Sequence, residues 1–167
     1  MIRAAHADDF DAIASITNHY IASTAIHFAY EPVTADALRH SWHSHPHHPF
    51  LVHDPGDGVI AYAKAGPWRD RAAYHWTAEV GIYVSHEARG RRIGTALYTA
   101  LLDELAAAGF RSAVAGITMP NAPSIALHER LGFAHVGTFA DAGFKNGAWH
   151  DVAFFQKRFS TDAVPPP

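Results

Sequence analysis

The chain has 167 residues, 49% hydrophobic and 17% charged, with a net charge of -3 when its histidines are neutral. That length and balance describe one folded domain with a sizeable core, and they exclude a disordered chain or one drawn by its charge to nucleic acid or an anionic membrane. The absence of cysteine excludes a disulfide framework, a thiolate metal ligand and a thiol nucleophile together.

Residues 2–5 form the first strand candidate. A helical pattern starts at Asp8, read as its cap, with Asp11 adding charge to the first turn and Phe10, Ile13, Ile16 and Ile21 forming the apolar stripe. A second helix is expected from about Thr34, carrying Leu38 and Trp42, and Pro46 and Pro49 end that segment. Strands at 50–52 and 59–65 flank a turn at 54–58. The run 76–84 is rich in aromatic and β-branched residues and reads as a third strand of this group. A polar segment, 85–92, leads into a long helix at 93–108 whose buried face is Leu97, Leu101, Leu102 and Leu105, with Gly109 at the left-handed cap. A strand at 111–117, a helix at 123–131 closed by Gly132, and strands at 134–139 and 149–158 complete the pattern. The order β-α-α-β-β-β-α-β-α-β-β predicts an α/β (α+β) fold with a mixed sheet flanked by helices.

Residues 1–160 read as a single domain, and the proline-rich end, 161–167, as a tail outside it. No apolar run is long enough to span a bilayer, and the first residues lack the apolar core of a signal peptide, so the expected compartment is the cytoplasm.

The most informative stretch is a strand followed by Arg89-Gly90-Arg91-Arg92-Ile93-Gly94-Thr95 at a helix start. First-turn N–H groups lack intrahelical partners and the dipole favours negative charge, so such a turn binds anions. Its glycines admit a pyrophosphate close to the backbone, and Arg89, Arg91 and Arg92 suit a ligand with several phosphates. The plainer alternative is an ordinary helix start with solvated arginines. No Gly-Lys-Ser/Thr follows, which excludes a Walker loop, and the spacing of Gly90 and Gly94 does not match the dinucleotide fingerprint.

This strand-loop-helix resembles the acetyl-CoA pyrophosphate loop of the GNAT superfamily of N-acetyltransferases. Asn121-Ala122-Pro123-Ser124 through Leu131-Gly132-Phe133 resembles the second signature of that superfamily. Further segments, among them Ala65-Gly66-Pro67-Trp68, Tyr74-His75-Trp76-Thr77-Ala78-Glu79 and Gly143-Phe144-Lys145-Asn146-Gly147, are similar to the phosphinothricin and methionine sulfoximine acetyltransferase family. The similarity covers about residues 2 to 160. One departure is Arg92, where the pattern has glycine.

The resemblance implies a GNAT fold with a mostly antiparallel sheet, acetyl-CoA as co-substrate, no metal, and a small amino-acid analogue as acceptor. It further implies a homodimer, with neither nucleic acid nor membrane as partner. Acetylation of an amine needs a base, an oxyanion site and a proton for the leaving thiolate. Glu79 is the expected base, its pKa raised by partial burial; the alternative is a solvent-facing or ion-paired strand residue. His128 occupies the position of the superfamily's thiolate acid, and is read either as acid or cofactor contact or as helix packing. Ile82, Tyr83 and Val84 are expected to pair with the pantetheine arm, an N–H near Tyr83 or Val84 to hold the oxyanion, and Arg89 through Thr95 to hold the pyrophosphate. Asn121 and Ser124 are the remaining cofactor contacts. Phe28, Tyr74, His75, Trp76, Thr77, Lys145 and Trp149 are candidates for the acceptor pocket, although the aromatic ones fit a plain core equally. His43, His45, His47 and His48 read as a polar loop rather than a metal site. Acetylation of another amine, or acyl-CoA binding without turnover, are the alternative functions.

Overall fold

The computed structural model describes residues 1–88 and 93–159. The elements are β1 (Ile2–Ala4), α1 (Phe10–Ser23), α2 (Ala35–His43), β2 (Phe50–His53), β3 (Ala61–Pro67), β4 (Thr77–Val84), α3 (Ile93–Ala107), β5 (Ser112–Thr118), α4 (Ala122–Arg130), β6 (Ala134–Lys145) and β7 (Ala148–Arg158). Seven strands form one sheet in the order β1-β2-β3-β4-β5-β7-β6. Every pairing is antiparallel except β4 with β5.

Side-chain alternation assigns the two faces of the sheet. On β3, Ala61, Ala63 and Ala65 are buried on the side of Leu97, Tyr98, Leu101 and Leu105 of α3. Small residues there let the leucine-rich helix approach closely. Tyr62 points the other way, into a second core made with Phe10, Ile13 and Tyr20 of α1, and with Phe50 and Val52. Gly109 ends α3 at a φ of +87°, the left-handed cap expected of it.

Two expectations need correction. The residue before α1 is Asp9, not Asp8, and it does not cap by its side chain. Its carboxylate instead accepts the His6 N–H at 2.7 Å and both arms of the Arg3 guanidinium at 2.7 and 2.8 Å, which hold its pKa below the usual carboxylate range. Strand β6 runs past Phe139 to Lys145, because register shifts between Phe139 and Gly143 absorb the turn-like residues at 140–142 and the ladder resumes. The tail at 161–167 lies outside the described residues.

Candidate active site

Strands β4 and β5 pair only through Thr77↔Ser112, Ala78↔Ala113 and Glu79↔Val114. Beyond Glu79 they part, and a cleft of about 60 Å³ opens between Val80–Tyr83 on one side and residues 115–118 on the other. The Ser85 N–H donates to the Ile60 carbonyl at 2.8 Å. Antiparallel alternation then turns the backbone groups of Tyr83 and Gly81 toward β3, and those of Val80, Ile82 and Val84 away from it. The Val84 carbonyl accepts the Tyr20 hydroxyl at 2.7 Å.

The start of α4 closes one end of this cleft. Asn121 accepts the Ser124 N–H at 3.3 Å, and both residues line the opening. Gly94, in the first turn of α3, lies against Ile82, Val84 and Leu127. Ile93 is buried and Thr95 half-buried beside it. Among the expected cofactor residues, Ile82, Tyr83, Asn121 and Ser124 therefore meet at one cleft, with Gly94 packed on its flank. Arg89, Gly90, Arg91 and Arg92 lie outside the described residues.

His128 borders the same cleft but is only 3% exposed. Its Nδ1 lies 2.7 Å from the Ser124 carbonyl, so Nδ1 carries the proton and Nε2 accepts the Tyr98 hydroxyl at 3.1 Å. Burial lowers its pKa and keeps the ring neutral. In this arrangement both ring nitrogens are already used within the protein.

On the sheet face beneath α2 lies a larger cavity of about 410 Å³. Leu38, Trp42, His45 and His48 overhang it; Lys64, Gly66, Glu79, Gly81 and Tyr83 form its floor. The Glu79 side chain reaches solvent through the mouth, yet the crowding around its carboxylate removes enough water to raise its pKa, against the opposing pull of Lys64 and Arg69. Burial lowers the Lys64 pKa, opposed by Glu79. Tyr83 lines both the cavity and the cleft, its ring 5.1 Å from Tyr62, and burial pushes its pKa up to about 12.

The expected acceptor residues do not gather around this cavity. Trp76 packs on Phe110, with ring centroids 6.4 Å apart, and on Gly109. The Thr77 hydroxyl sits 3.3 Å from that of Ser112. Tyr74 and His75 are exposed just before β4. Phe28 packs on Gly143 and near His150. Lys145 is buried and donates to the carbonyls of Ile21 and His27, both at 2.6 Å. Trp149 is 62% exposed and touches Phe144. None of these lines the cavity. Its walls come instead from residues that sequence reading passed over: Lys64, Gly66, Gly81 and the α2 overhang. The available signal was the run Ala61-Tyr62-Ala63-Lys64-Ala65-Gly66, in which small residues on one face leave tyrosine, lysine and glycine on the other. In the histidine tract, His45 and His48 turn inward to the cavity while His43 and His47 are exposed. No group of three or more metal-ligating side chains occurs among the described residues.

The model of the acetyltransferase (GNAT) family matches residues 13–133. The chain is 43% identical to the phosphinothricin N-acetyltransferase of Streptomyces viridochromogenes, over 99% of this chain and 91% of that protein. It is 34% identical to the L-methionine sulfoximine/L-methionine sulfone acetyltransferase of Salmonella typhimurium, over 98% and 97%. The structure superposes on that of a GNAT superfamily phosphinothricin acetyltransferase from Sinorhizobium meliloti in complex with acetyl-CoA, with a TM-score of 0.92 and 36% identity, covering 100% of this chain and 92% of that one.

Proposed function

This chain belongs to the GNAT acetyltransferase family, and on that premise we propose that it transfers acetyl from acetyl-CoA to the α-amine of a small amino-acid analogue, of the phosphinothricin, methionine sulfoximine or methionine sulfone type. The observation that carries this reading is Glu79, a carboxylate of raised pKa in a cavity of about 410 Å³ that shares Tyr83 with the cleft beside α4.

The cleft fits the pantetheine arm. Outward-turned backbone at Val80 and Ile82 offers it an added-strand pairing, and Asn121 and Ser124 offer polar contacts at the open end of α4. Arg89 through Thr95 is the segment assigned to the pyrophosphate. Acetyl-CoA supplies the acetyl group as a thioester. Most free amine is protonated near neutral pH, so Glu79 removes a proton from the acceptor, directly or through a water. Of the two N–H groups expected to hold the developing oxyanion, that of Val84 is turned away from β3 and suits the task. His128, with Nδ1–H held by the Ser124 carbonyl and Nε2 by the Tyr98 hydroxyl, is read as a residue that ties α4 to α3; the thiolate released as the C–S bond breaks would take up the proton that Glu79 removed, or one from water.

We assign the enzyme to the cytoplasm, where acetyl-CoA is at hand; no helix among the described residues is long and apolar enough to cross a membrane. We also propose a homodimer formed through the exposed apolar side chains of the β6–β7 hairpin, Val136, Phe139, Phe144 and Trp149. Light scattering that gives a monomer at micromolar concentration would remove the dimer. Acetylation of a herbicidal analogue would make a host tolerant of it.

The deciding experiment follows thiol release from acetyl-CoA with phosphinothricin, methionine sulfoximine, methionine sulfone and unrelated amines. Turnover confined to the amino-acid analogues supports the reading. Turnover confined to other amines discards the acceptor class, and acetyl-CoA binding without any turnover discards the enzyme.

A further inference from the structure

The floor of the 410 Å³ cavity is a rectangle of four residues on two paired strands. Lys64 faces Gly81 and Gly66 faces Glu79 in the β3–β4 register, so all four point to the same face. The two charged residues occupy one diagonal and the two glycines the other. A Cβ built on Gly66 would meet nothing within 4 Å, and one on Gly81 only the edge of Tyr83, at 3.7 Å. The glycine corners therefore leave open space between a cation and a carboxylate.

Lys64 has no hydrogen bond and no ion pair among the described residues. Glu79 lies beyond ion-pair distance and attracts it only across the diagonal of the floor. Placing a lysine in the wall of a cavity without a counter-ion is costly, and an arriving anion removes that cost. The cavity thus holds, diagonally across its floor from the base, a cation with no hydrogen-bond partner.

We propose that Lys64 binds the carboxylate of the acceptor, and that the Lys64–Glu79 diagonal reads a zwitterion by receiving its carboxylate at one corner and its amine at the other. The acceptor class is then a free α-amino acid. An amine without the carboxylate leaves Lys64 unpaired and is rejected, since a site built around a polar partner discriminates strongly against a ligand that lacks it. This assignment rests on the acetyl-transfer reading of the same cavity.

The test compares methionine sulfone with the amine obtained by removing its carboxylate, using the wild type, Lys64→Gln and Lys64→Arg. Loss of a charged hydrogen bond should raise KM for methionine sulfone about 10- to 100-fold in Lys64→Gln, with kcat within about threefold on the scale of that loss. Lys64→Gln should change KM for the decarboxylated amine far less than KM for methionine sulfone, and Lys64→Arg should keep most of the preference for the acid. Thermal melting checks that Lys64→Gln is folded. An equal effect of Lys64→Gln on both acceptors, or no effect on either, overturns the proposal. If the wild type acetylates neither acceptor, calorimetric titration of methionine sulfone separates the two claims. Binding that weakens in Lys64→Gln keeps the carboxylate site and discards the transfer reading; equal binding to both proteins, or to neither, overturns the site.

Discussion

Phe28 lies flat against the backbone of Gly143: a Cβ built on that glycine would stand 2.4 Å from ring carbon Cε2 and 2.6 Å from Cζ. The contact fastens the segment after α1 onto the resumed part of β6. The same junction carries a hydrogen bond from the Tyr30 hydroxyl to the Phe144 carbonyl. Gly143→Ala should therefore destabilise the fold by about 1–3 kcal/mol, lowering Tm by about 2–4 °C for each kcal/mol. The loss should shrink in a Phe28→Ala background, because the two sites are in contact. Thermal melts of the four proteins in that cycle check it, and additive losses would contradict it.

Lys145 ties the end of α1 to the same hairpin through the Ile21 and His27 carbonyls. Lys145→Met keeps the apolar stem and removes both donors. Leaving buried carbonyls unpaired should cost about 1–3 kcal/mol. The KM for the acceptor should stay unchanged, since Lys145 does not line the cavity. A raised KM with an unchanged melting point would return Lys145 to the acceptor pocket.

Glu79, the proposed base, should govern the acid limb of the rate profile. Its folded pKa lies above the ordinary carboxylate value, so kcat/KM should begin to fall at a higher pH than an exposed glutamate would give, as the base becomes protonated. Glu79→Gln should lose about 10²- to 10⁴-fold in kcat and lose that inflection, while acetyl-CoA binding persists. A pH series on both proteins, with coenzyme affinity measured separately, checks all three outcomes.

Stability should drop on mild acidification. His128 has a folded pKa below its unfolded value, so between the two the unfolded chain binds more protons, and stability rises with pH through that window. Cooling of the melting point should therefore set in below about pH 6.5, the unfolded histidine value. His128→Gln should flatten the slope of Tm against pH, and an unchanged slope would show that the half-buried histidines His27, His48 and His53 dominate it.

Local chemistry made most elements legible. Leucines at helical spacing located α3, the glycine at 109 its end, and Asn121 the start of α4. Where one side chain served a distant partner, reading failed. Asp8 read as the cap because nothing in the neighbouring residues shows that Asp9 precedes α1 and is engaged by Arg3 across a turn. The strand signal of β6 appeared to end at Phe139 because an irregular stretch resembles a turn until β7 re-pairs beyond it. The residues of the cleft were legible, since Asn121 and Ser124 sit on a signature and Ile82 and Tyr83 on the strand beyond Glu79. The floor of the cavity was not. Lys64, Gly66, Gly81 and Glu79 form a floor only through cross-strand register, which no stretch of neighbouring residues records. Aromatic content drew attention to Trp76, whose ring in fact covers the end of α3.

Three residue pairs join β4 to β5, and the Trp76 carbonyl just before β4 extends that seam by accepting the Arg111 and Ser112 N–H groups at 2.8 and 3.4 Å. Backbone pairing thus ties the two slabs of the sheet, β1–β4 and β5–β7, at one end, while the core under α3 spans both. A molecule lying along the parted edges of Val80–Tyr83 and residues 115–118 would act as an extra strand, lengthening the seam by its own amide groups. Rigidity between the slabs then becomes a function of ligand concentration. Saturation at about 100 times Kd would add about 2.7 kcal/mol of stability, and hydrogen exchange along β4 and β5 should slow together as that concentration rises.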